Sequence, residues 1–179
     1  FYGNNVILSY TFVRSEFSDA EGNYLPSAWD NRHLLNFTFS RSFKRNWDVG
    51  FKWRYVGGAP YTPYDEELSS NRLAWDARGQ GYLDYSRFNS LRLNAFHQLD
   101  VRVDKQYFFD RWSLMLYLDI QNLYNFKAEQ PPILFNRDMD GNVAIVNPND
   151  PLPMQRYALR SIADESGTVL PTLGIMIEF

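Results

Sequence analysis

Apolar and polar side chains alternate along six separate stretches of this chain, and this pattern constrains the fold more than any other feature. Successive side chains of a β-strand point to opposite faces of a sheet, so the alternation predicts strands with one apolar and one polar face. The six stretches span about residues 5–15, 32–43, 47–56, 97–108, 112–124 and the terminal 172–179. We therefore expect an all-β fold.

The terminal stretch shows the alternation most clearly. Leu173, Ile175, Ile177 and Phe179 share one predicted face, and the residues between them share the other. The apolar face suits lipid, and an aromatic residue at the end of a strand suits a bilayer interface. The last strand of a soluble antiparallel sheet is the alternative for this segment. The pattern resembles the C-terminal signature strand of Gram-negative outer-membrane proteins, which implies that Phe179 is an assembly signal.

Strand length favours a membrane location. Each stretch is close to the roughly 9 to 11 residues that a tilted transmembrane strand requires, and no apolar run approaches the roughly 20 residues of a spanning helix. Aromatic residues make up 17% of the chain, which is typical of a barrel with interfacial girdles. Five aromatic residues fall at one predicted end of the strands, on the apolar face: Phe43, Trp47, Tyr107, Trp112 and Phe179.

The connections between the stretches alternate in length. Residues 44–46 and 109–111 form short polar links, whereas 16–31, 57–96 and 125–168 are long. Outer-membrane barrels have short periplasmic turns and long extracellular loops, so this alternation gives every strand a direction and places residue 179 on the periplasmic side. We therefore expect an antiparallel transmembrane β-barrel segment in the outer membrane of a Gram-negative bacterium.

Six strands are too few to close such a barrel, because the smallest outer-membrane barrels have eight. An open edge in lipid leaves backbone groups without partners, at several kcal/mol each. We expect the missing strands to come from upstream in a longer polypeptide or from another chain. The first five residues, FYGNN, carry neither an initiator Met nor an apolar signal core, which is consistent with a piece of a longer protein.

Four short motifs, taken in order, resemble TonB-dependent outer-membrane receptors. They are PSAWDNRH at 26–33, RYVGGAPYTPYD at 54–65, LDVRVDK at 99–105 and DIQNLYN at 119–125. The resemblance covers essentially the whole chain, and it implies that residues 1–179 are the last six strands of a 22-stranded barrel closed by an N-terminal plug domain. No plug and no TonB box are visible in the sequence itself.

This resemblance also implies a function and partners. The protein is expected to import a specific solute, such as an iron chelate, a vitamin, a glycan or a peptide. Energy would come from the TonB complex through the plug, and a surface lipoprotein is a possible further partner. A passive porin or a structural barrel is the alternative, and a plug with a TonB-binding box upstream would separate these classes.

The long connection at 57–96 is the best candidate for a ligand site. It mixes aromatic rings with charged residues, so it can stack on rings and bind polar groups. Trp75, Tyr82 and Tyr85 are the preferred contacts, with Tyr61 and Tyr64 as further candidates. The alternative is that these rings only pack the loop against its neighbours.

Six charged residues share the predicted polar face of three neighbouring strands, and we name them the polar wall: Lys52, Arg54, Asp100, Arg102, Asp104 and Asp119. In a barrel these residues face the lumen, where a plug or a solute can contact them. The alternative is that they pair with one another across the strands in a hydrated interior.

Residues 136–142 copy the first half of a calcium-binding loop. Position twelve of that pattern is Asn147 rather than Glu, so the bidentate ligand is missing. An Asp-Gly hairpin between residues 133–135 and 143–146 explains the same residues, and we predict that hairpin. The sequence predicts no metal and no cofactor.

An outer-membrane hydrolase is the competing enzyme class. The chain has no cysteine, two histidines and no Gly-x-Ser-x-Gly motif. His33 and His97 fall on the predicted apolar face, away from a lumenal site. The net charge of −3 does not favour a nucleic-acid partner either. We predict that the protein is not an enzyme.

Overall fold

A computed structural model describes residues 3–179, and its main element is one antiparallel sheet of six long strands. In chain order the strands are β1 (Asn4–Val13), β2 (Glu16–Ser18), β3 (Tyr24–Pro26), β4 (Arg32–Phe43), β5 (Trp47–Val56), β6 (Pro60–Tyr61), β7 (Leu91–Arg92), β8 (Phe96–Phe108), β9 (Ser113–Gln121), β10 (Ala128–Phe135), β11 (Arg160–Ser166) and β12 (Leu170–Glu178). The helices are α1 (Glu66–Ser70) and α2 (Arg72–Arg78), with 3₁₀ turns at Tyr85–Arg87 and Leu152–Met154.

The large sheet has the strand order β1-β4-β5-β8-β9-β12, so neighbours in the sheet follow one another along the chain, and the short strands form separate pairs. Every ladder of the large sheet is antiparallel. The predicted all-β fold with six long antiparallel strands is confirmed. Strands β1 and β12 are the edges, each with one neighbour in the sheet.

The predicted strand limits agree closely with the structure. Strands β4 and β5 begin and end at the predicted residues. Strand β9 was expected to reach residue 124 but ends at Gln121. The next residue, Asn122, has a left-handed backbone with φ of 54°, which a strand does not accommodate.

The register confirms the two faces. Phe37 lies opposite Trp53, and Trp53 lies opposite Leu99 on its other side, so one apolar row crosses three strands. At the far edge Ile175 lies opposite Leu116. Directly opposite residues of an antiparallel ladder lie on one face, so the sheet has a continuous apolar face and a continuous polar face.

The two ends of the sheet differ. Short turns close one end, where Arg45 and Asn46 have positive φ and the Phe109 N–H donates to the Trp112 carbonyl at 2.9 Å. The three long connections all leave from the other end, as the alternating link lengths predict. We name these connections, residues 14–31, 57–95 and 122–169, the loop layer, and we name the opposite end of the sheet the short-turn end.

The loop layer contains regular elements that the sequence pattern did not predict. Three two-stranded hairpins pair β2 with β3, β6 with β7, and β10 with β11. Helix α1 begins at a cap in which the Asp65 side chain accepts from the Leu68 N–H, and α2 begins at a cap in which Asn71 accepts from Ala74. These caps satisfy N–H groups that the first helical turn leaves without partners.

The predicted hairpin between residues 133–135 and 143–146 is wrong. Residues 133–135 pair instead with β11, where Ile133 lies opposite Ile162 and gains an apolar partner. The Asp-Gly segment forms only a local turn. Its ends meet at the bridge between Arg137 and Val143, and the Asp138 carboxylate accepts from two backbone N–H groups inside it.

The few buried side chains lie in the loop layer. Trp75 and Tyr157 are the buried hydrophobic residues of the described chain, with Asp30, Ser69 and Asn122 as its buried polar residues. None of the described residues in the six long strands is buried. No helix within residues 3–179 has the length and apolar character needed to cross a membrane.

Candidate functional site

The polar wall lies on one face of strands β5, β8 and β9. Lys52 lies opposite Asp100, and Arg102 lies opposite Asp119. The Arg54 guanidinium contacts the Asp100 carboxylate at 3.3 Å across the β5–β8 ladder. This contact is a cross-strand pair of the kind that the sequence offered as the alternative to solute binding.

Arg102 is held from two sides. Its guanidinium Nη2 lies 2.8 Å from Asp104 Oδ1, and its Nε donates to the same carboxylate at 2.9 Å. The guanidinium also sits 4.4 Å from the centre of the Tyr117 ring, in a cation–π contact. The contacts with Asp104 and Tyr117 fix the orientation of Arg102. This part of the polar wall therefore keeps its conformation without an external ligand.

Two polar-wall residues have no ion-pair partner within 4 Å in the described chain: Lys52 and Asp119. The buried Arg54 Nε atom also has no hydrogen-bond partner there. Lys52 and Asp119, but not Arg54, line a shallow hollow of about 280 Å³ over Gly50. The polar wall therefore keeps groups that are available to hydrogen-bond a facing molecule.

Gly174 lies opposite Tyr117 across the β9–β12 ladder. A Cβ at Gly174 would lie 2.1 Å from Cζ of the Tyr117 ring, so the ring covers the backbone of the last strand. Covering a glycine with an aromatic ring is a known way to fix the register of a strand pair. Tyr117 therefore links the guanidinium of Arg102 to the terminal strand.

Where the sheet meets the loop layer, Asp30 is 2% exposed and forms an ion pair with Arg92. The Arg92 guanidinium also donates to the Asp30 carbonyl at 2.6 Å and to the Gly58 carbonyl at 3.0 Å. The Ser15 N–H donates to the Asp30 carboxylate at 3.2 Å. One ion pair, between the buried Asp30 and the half-buried Arg92, therefore connects the first and second long connections.

Burial by itself raises the pKa of Asp30, because it disfavours the charged form. The hydrogen bonds from Arg92 and Ser15 and the charges of Arg92 and Arg32 outweigh burial, so the pKa of Asp30 lies below its ordinary value. The carboxylate is therefore ionised at neutral pH and depends on its partners for that state.

Two glycines let the backbones at this junction approach closely. A Cβ at Gly57 would lie 2.1 Å from the Asn31 carbonyl oxygen, and one at Gly58 would lie 1.7 Å from the Leu93 carbonyl oxygen. No side chain fits in those gaps. The Gly-Gly pair after β5 thus lets three strand ends gather around the Asp30–Arg92 pair.

The second and third long connections are joined by several hydrogen bonds. The Arg72 side chain donates to Gln155 Oε1 at 2.6 Å, and the backbone N–H of Arg72 donates to the Gln155 carbonyl at 3.0 Å. Asn71 donates to the Pro153 carbonyl at 3.0 Å. Helix α2 therefore holds the 152–156 segment, and the loop layer acts as one packed unit.

Tyr157 also stabilises the contact between the second and third connections. Its hydroxyl donates to Asp76 Oδ1 at 2.8 Å, and its backbone N–H donates to the Ser70 carbonyl at 2.8 Å. Burial raises the pKa of the Tyr157 hydroxyl, and the neighbouring Asp76 carboxylate raises it further. The phenol therefore stays protonated as a donor.

A groove of about 550 Å³ lies between the second connection and the β10–β11 hairpin, and we name it the loop groove. Its size falls within the usual range for small-molecule sites. Its walls combine tyrosine, proline and leucine side chains with carboxylates and one guanidinium. The lining residues are Tyr61, Thr62, Pro63, Tyr64, Asp65, Glu66, Leu83, Asp84, Arg87, Leu91, Pro131, Pro132, Leu134 and Ser161.

The five predicted ligand contacts are not brought together. Tyr61 and Tyr64 line the loop groove. Trp75 is only 6% exposed, inside the contact of α2 with its neighbours, and the Tyr82 hydroxyl donates to the Ala74 carbonyl at 2.9 Å. Tyr85 is 66% exposed and does not line the groove. Ligand contact by these residues stays a prediction, and the geometry favours the first two.

Two of the groove's acidic residues already serve local structure. Asp65 caps α1, and the Asp84 carboxylate accepts from the Ser86 N–H at 3.0 Å. Glu66 and Arg87 are exposed at the groove and form no salt bridge in the described chain. These two side chains are the charged groups that a ligand in the groove can engage.

The predicted aromatic girdle lies at the short-turn end and is exposed. Trp47 lies opposite Phe43, Tyr107 lies opposite Leu114, and the Trp112 ring stacks on Phe109 with centroids 4.2 Å apart. Phe179 is fully exposed beyond β12. An assembly role for Phe179 stays a prediction.

Each of the two histidines forms a hydrogen bond with a tyrosine hydroxyl. His33 Nδ1 lies 2.9 Å from the Tyr10 hydroxyl, and His97 Nδ1 lies 2.7 Å from the Tyr124 hydroxyl. Residues 3–179 hold no group of three His, Cys, Asp or Glu side chains that could bind a metal ion. The histidines therefore stabilise the junction between the sheet and the loop layer.

Sequence reasoning did not identify Asp30, Arg92 or Asn122 as structural centres. Asn122 is buried, its N–H donates to Asp100 at 3.0 Å, and its side chain donates to the Phe126 carbonyl at 2.9 Å. The available signal was a pair of asparagines, Asn122 and Asn125, at the end of an alternating stretch, since asparagine tolerates left-handed backbone.

Comparison with known proteins gives no relative: no family model, no curated protein and no solved structure matches this chain.

Proposed function

We propose that this chain is the C-terminal part of a larger transmembrane barrel in the outer membrane of a Gram-negative bacterium. The observation that carries the proposal is a whole apolar sheet face without one buried residue in the described chain. Its side chains are exposed along the two edge strands and mostly half-buried between them. Leu8, Leu173 and Ile175 are 66%, 82% and 69% exposed. Water disfavours such a face, whereas bilayer hydrocarbon accommodates it.

The two free edges support the same proposal. Strands β1 and β12 each present one side without a ladder partner in the described chain. Unpaired backbone groups in hydrocarbon cost several kcal/mol each, so a membrane location requires further strands on both sides. In the proposed barrel of 22 strands, those strands are supplied by the rest of the same polypeptide.

Within this barrel we propose the activity of a TonB-dependent receptor that imports a specific solute. The polar wall then faces the lumen, and its available groups, including Lys52 and Asp119, are positioned for contact with a plug domain. The energy comes from the TonB complex through that plug. The loop layer is the outer surface, where solute or a surface lipoprotein arrives.

The loop groove is the proposed first contact for the solute. Its two tyrosines and its prolines offer flat apolar surfaces, and Glu66 and Arg87 offer charged groups at its margin. The hydrogen bonds between the second and third connections make the groove a preformed cleft. A preformed cleft lowers the entropy that the loops lose when a ligand binds.

The activity is tested with the full-length polypeptide that contains this chain, expressed in the outer membrane. Uptake is measured for four labelled probes: a ferric hydroxamate, cobalamin, a maltooligosaccharide and an oligopeptide. The proposal expects uptake of one probe that stops when TonB is deleted. Uptake that continues without TonB identifies a passive pore, and failure of the protein to reach the outer membrane removes the membrane assignment.

The groove is tested with two matched tyrosine variants. Tyr61→Ala removes a groove wall, whereas Tyr85→Ala removes an equally aromatic ring outside it. We expect weaker binding of the transported probe in the first variant alone, with both barrels inserted. Loss in Tyr85→Ala alone moves the site to the exposed face of the 85–87 turn.

A further inference from the structure

A second groove, of about 700 Å³, lies on the apolar face near the short-turn end. Its inner part is lined by Val103, Leu116, Leu118, Leu173 and Ile175, which come from three neighbouring strands. These five side chains contain only hydrocarbon groups, and Tyr117 and Gly174 complete the lining beside them. The inner part is therefore suited to an extended hydrocarbon chain lying along the sheet.

The outer part of the same groove contains one cation, Lys105. Its position on the strand places it on the apolar face, in line with Val103 and Tyr107. Its ammonium lies 5.3 Å from the Trp47 ring centre and 5.0 Å from the Tyr107 ring centre, and it donates to the Arg45 carbonyl. The half-buried side chain is thus held at a fixed place between two aromatic rings.

The ammonium keeps unused binding capacity. A lysine ammonium has three donors, and one is used by the Arg45 carbonyl. No carboxylate in residues 3–179 forms an ion pair with Lys105. The adjacent turns add three exposed cations, Lys44, Arg45 and Arg111, and one exposed carboxylate, Asp110.

We propose that this groove binds an anionic phospholipid, with the phosphate on Lys105 and one acyl chain along the apolar inner part. The order of the residues fits such a lipid. Lys105 lies level with Leu116, and Val103 lies level with Leu118, one step farther from the turns. The head group would therefore sit among Trp47 and Tyr107 at the interface, while the chain points toward the middle of the bilayer.

This proposal rests on the membrane location proposed above. The test uses the full-length protein inserted into vesicles of phosphatidylcholine with a minor fraction of phosphatidylglycerol. After mild detergent extraction, native mass spectrometry counts the retained phosphatidylglycerol. We expect Lys105→Gln to lower its apparent affinity about fivefold, since one lysine near a lipid phosphate contributes about that factor. Lys105→Arg should retain the binding.

Lys127→Gln is the matched control. Lys127 also donates to a backbone carbonyl, that of Gly167, but it lies in the loop layer. We expect no change in this variant. Equal retention of phosphatidylglycerol by wild type and Lys105→Gln overturns the lipid site while leaving the membrane location intact. Equal affinity for inorganic phosphate and for phosphatidylglycerol also overturns it, because the chain groove would then contribute nothing.

A second measurement serves if Lys105→Gln fails to insert. Brominated phosphatidylglycerol should quench wild-type tryptophan emission more than the same fraction of brominated phosphatidylcholine, and Trp47→Phe should remove the difference. Equal quenching by the two lipids overturns the proposal. Failure of the wild-type protein itself to insert overturns the membrane location, so the two failures are distinguishable.

Discussion

The sheet and the loop layer obtain their stability in opposite ways. No described side chain of the six long strands is buried, while every buried side chain of the described chain lies between or beyond the strand ends. Trp75 and Tyr157 pack with polar groups such as Asp76, and Asp30 is closed in by arginines. The loop layer therefore has an interior of its own.

The difference shows which interactions each region needs. A sheet without buried residues gains little from its own side-chain burial, so its apolar face depends on the surrounding medium or on further strands. The buried side chains of the loop layer find their packing and hydrogen-bond partners within the chain itself. Substitutions in the loop layer should act through lost internal pairs, whereas substitutions on the apolar face should act through the medium.

The largest expected effect is that of Arg92→Met. It leaves the Asp30 carboxylate buried without its main partner, and breaking a buried pair in this way costs about 3 to 5 kcal/mol. The local free energy of opening is measured by hydrogen exchange at the Gly57 amide, which donates to the His33 carbonyl at 2.8 Å. The exposed Arg87→Met is the control and should leave that exchange unchanged. Unaltered protection in Arg92→Met would contradict a central role for the pair.

The second prediction concerns the apolar face. Leu116→Arg should destabilise the protein by about 2 to 4 kcal/mol in a bilayer, because the charge enters hydrocarbon. Arg at the adjacent Tyr117 should cost less, because that position lies opposite Asp104 on the polar face. Folding stability in vesicles gives both values. Equal costs at the two positions would show that the apolar face does not meet lipid.

A smaller effect is expected for Tyr157→Phe. This change removes the hydrogen bond to the Asp76 carboxylate and should lower the local stability of the loop layer by about 1.5 kcal/mol. The readout is hydrogen exchange at the Tyr157 amide, with exchange in β9 as the internal control. Faster exchange in both places would mean that the loop layer and the sheet unfold together.

The smallest effect is a pH dependence carried by Asp30. Its folded pKa is lowered, so its contribution to stability is present above the unfolded pKa of about 3.9 and is lost as the pH falls through the folded value. Exchange in the loop layer should therefore accelerate below about pH 4 while the sheet stays protected. Asp30→Asn should lack this step. A step of the same size in that variant would assign the pH dependence to another carboxylate.

The sheet could be predicted from the sequence because the pattern that determines it lies within each strand and within the short links between strands. Alternation along each stretch fixes which side chains share a face, and short links at 44–46 and 109–111 force neighbouring strands to pair. The polar wall followed from the same rule, and the register places its residues on one face of the sheet. The pairing of Arg54 with Asp100 required only the register in addition.

The loop layer could not be predicted in this way because its contacts join distant segments. Asp30 and Arg92 are 62 residues apart, and Arg72 and Gln155 are 83 apart. Trp75, one of the predicted ligand contacts, lies in an interior that forms only when α2 meets the 152–157 segment. Residues 133–135 likewise pair with β11 rather than with residues 143–146, because Ile162 of β11 gives Ile133 an apolar partner.

The contact of Tyr117 with Gly174 also bears on how the last strand finds its place during assembly. Sliding β12 by one residue exchanges its faces, but sliding it by two residues keeps apolar opposite apolar, so the alternation alone permits that error. A two-residue slide brings Thr172 or Met176 opposite Tyr117. Either side chain would then occupy the space of the tyrosine ring. The single glycine therefore allows one register of the terminal strand and excludes both shifted registers on steric grounds.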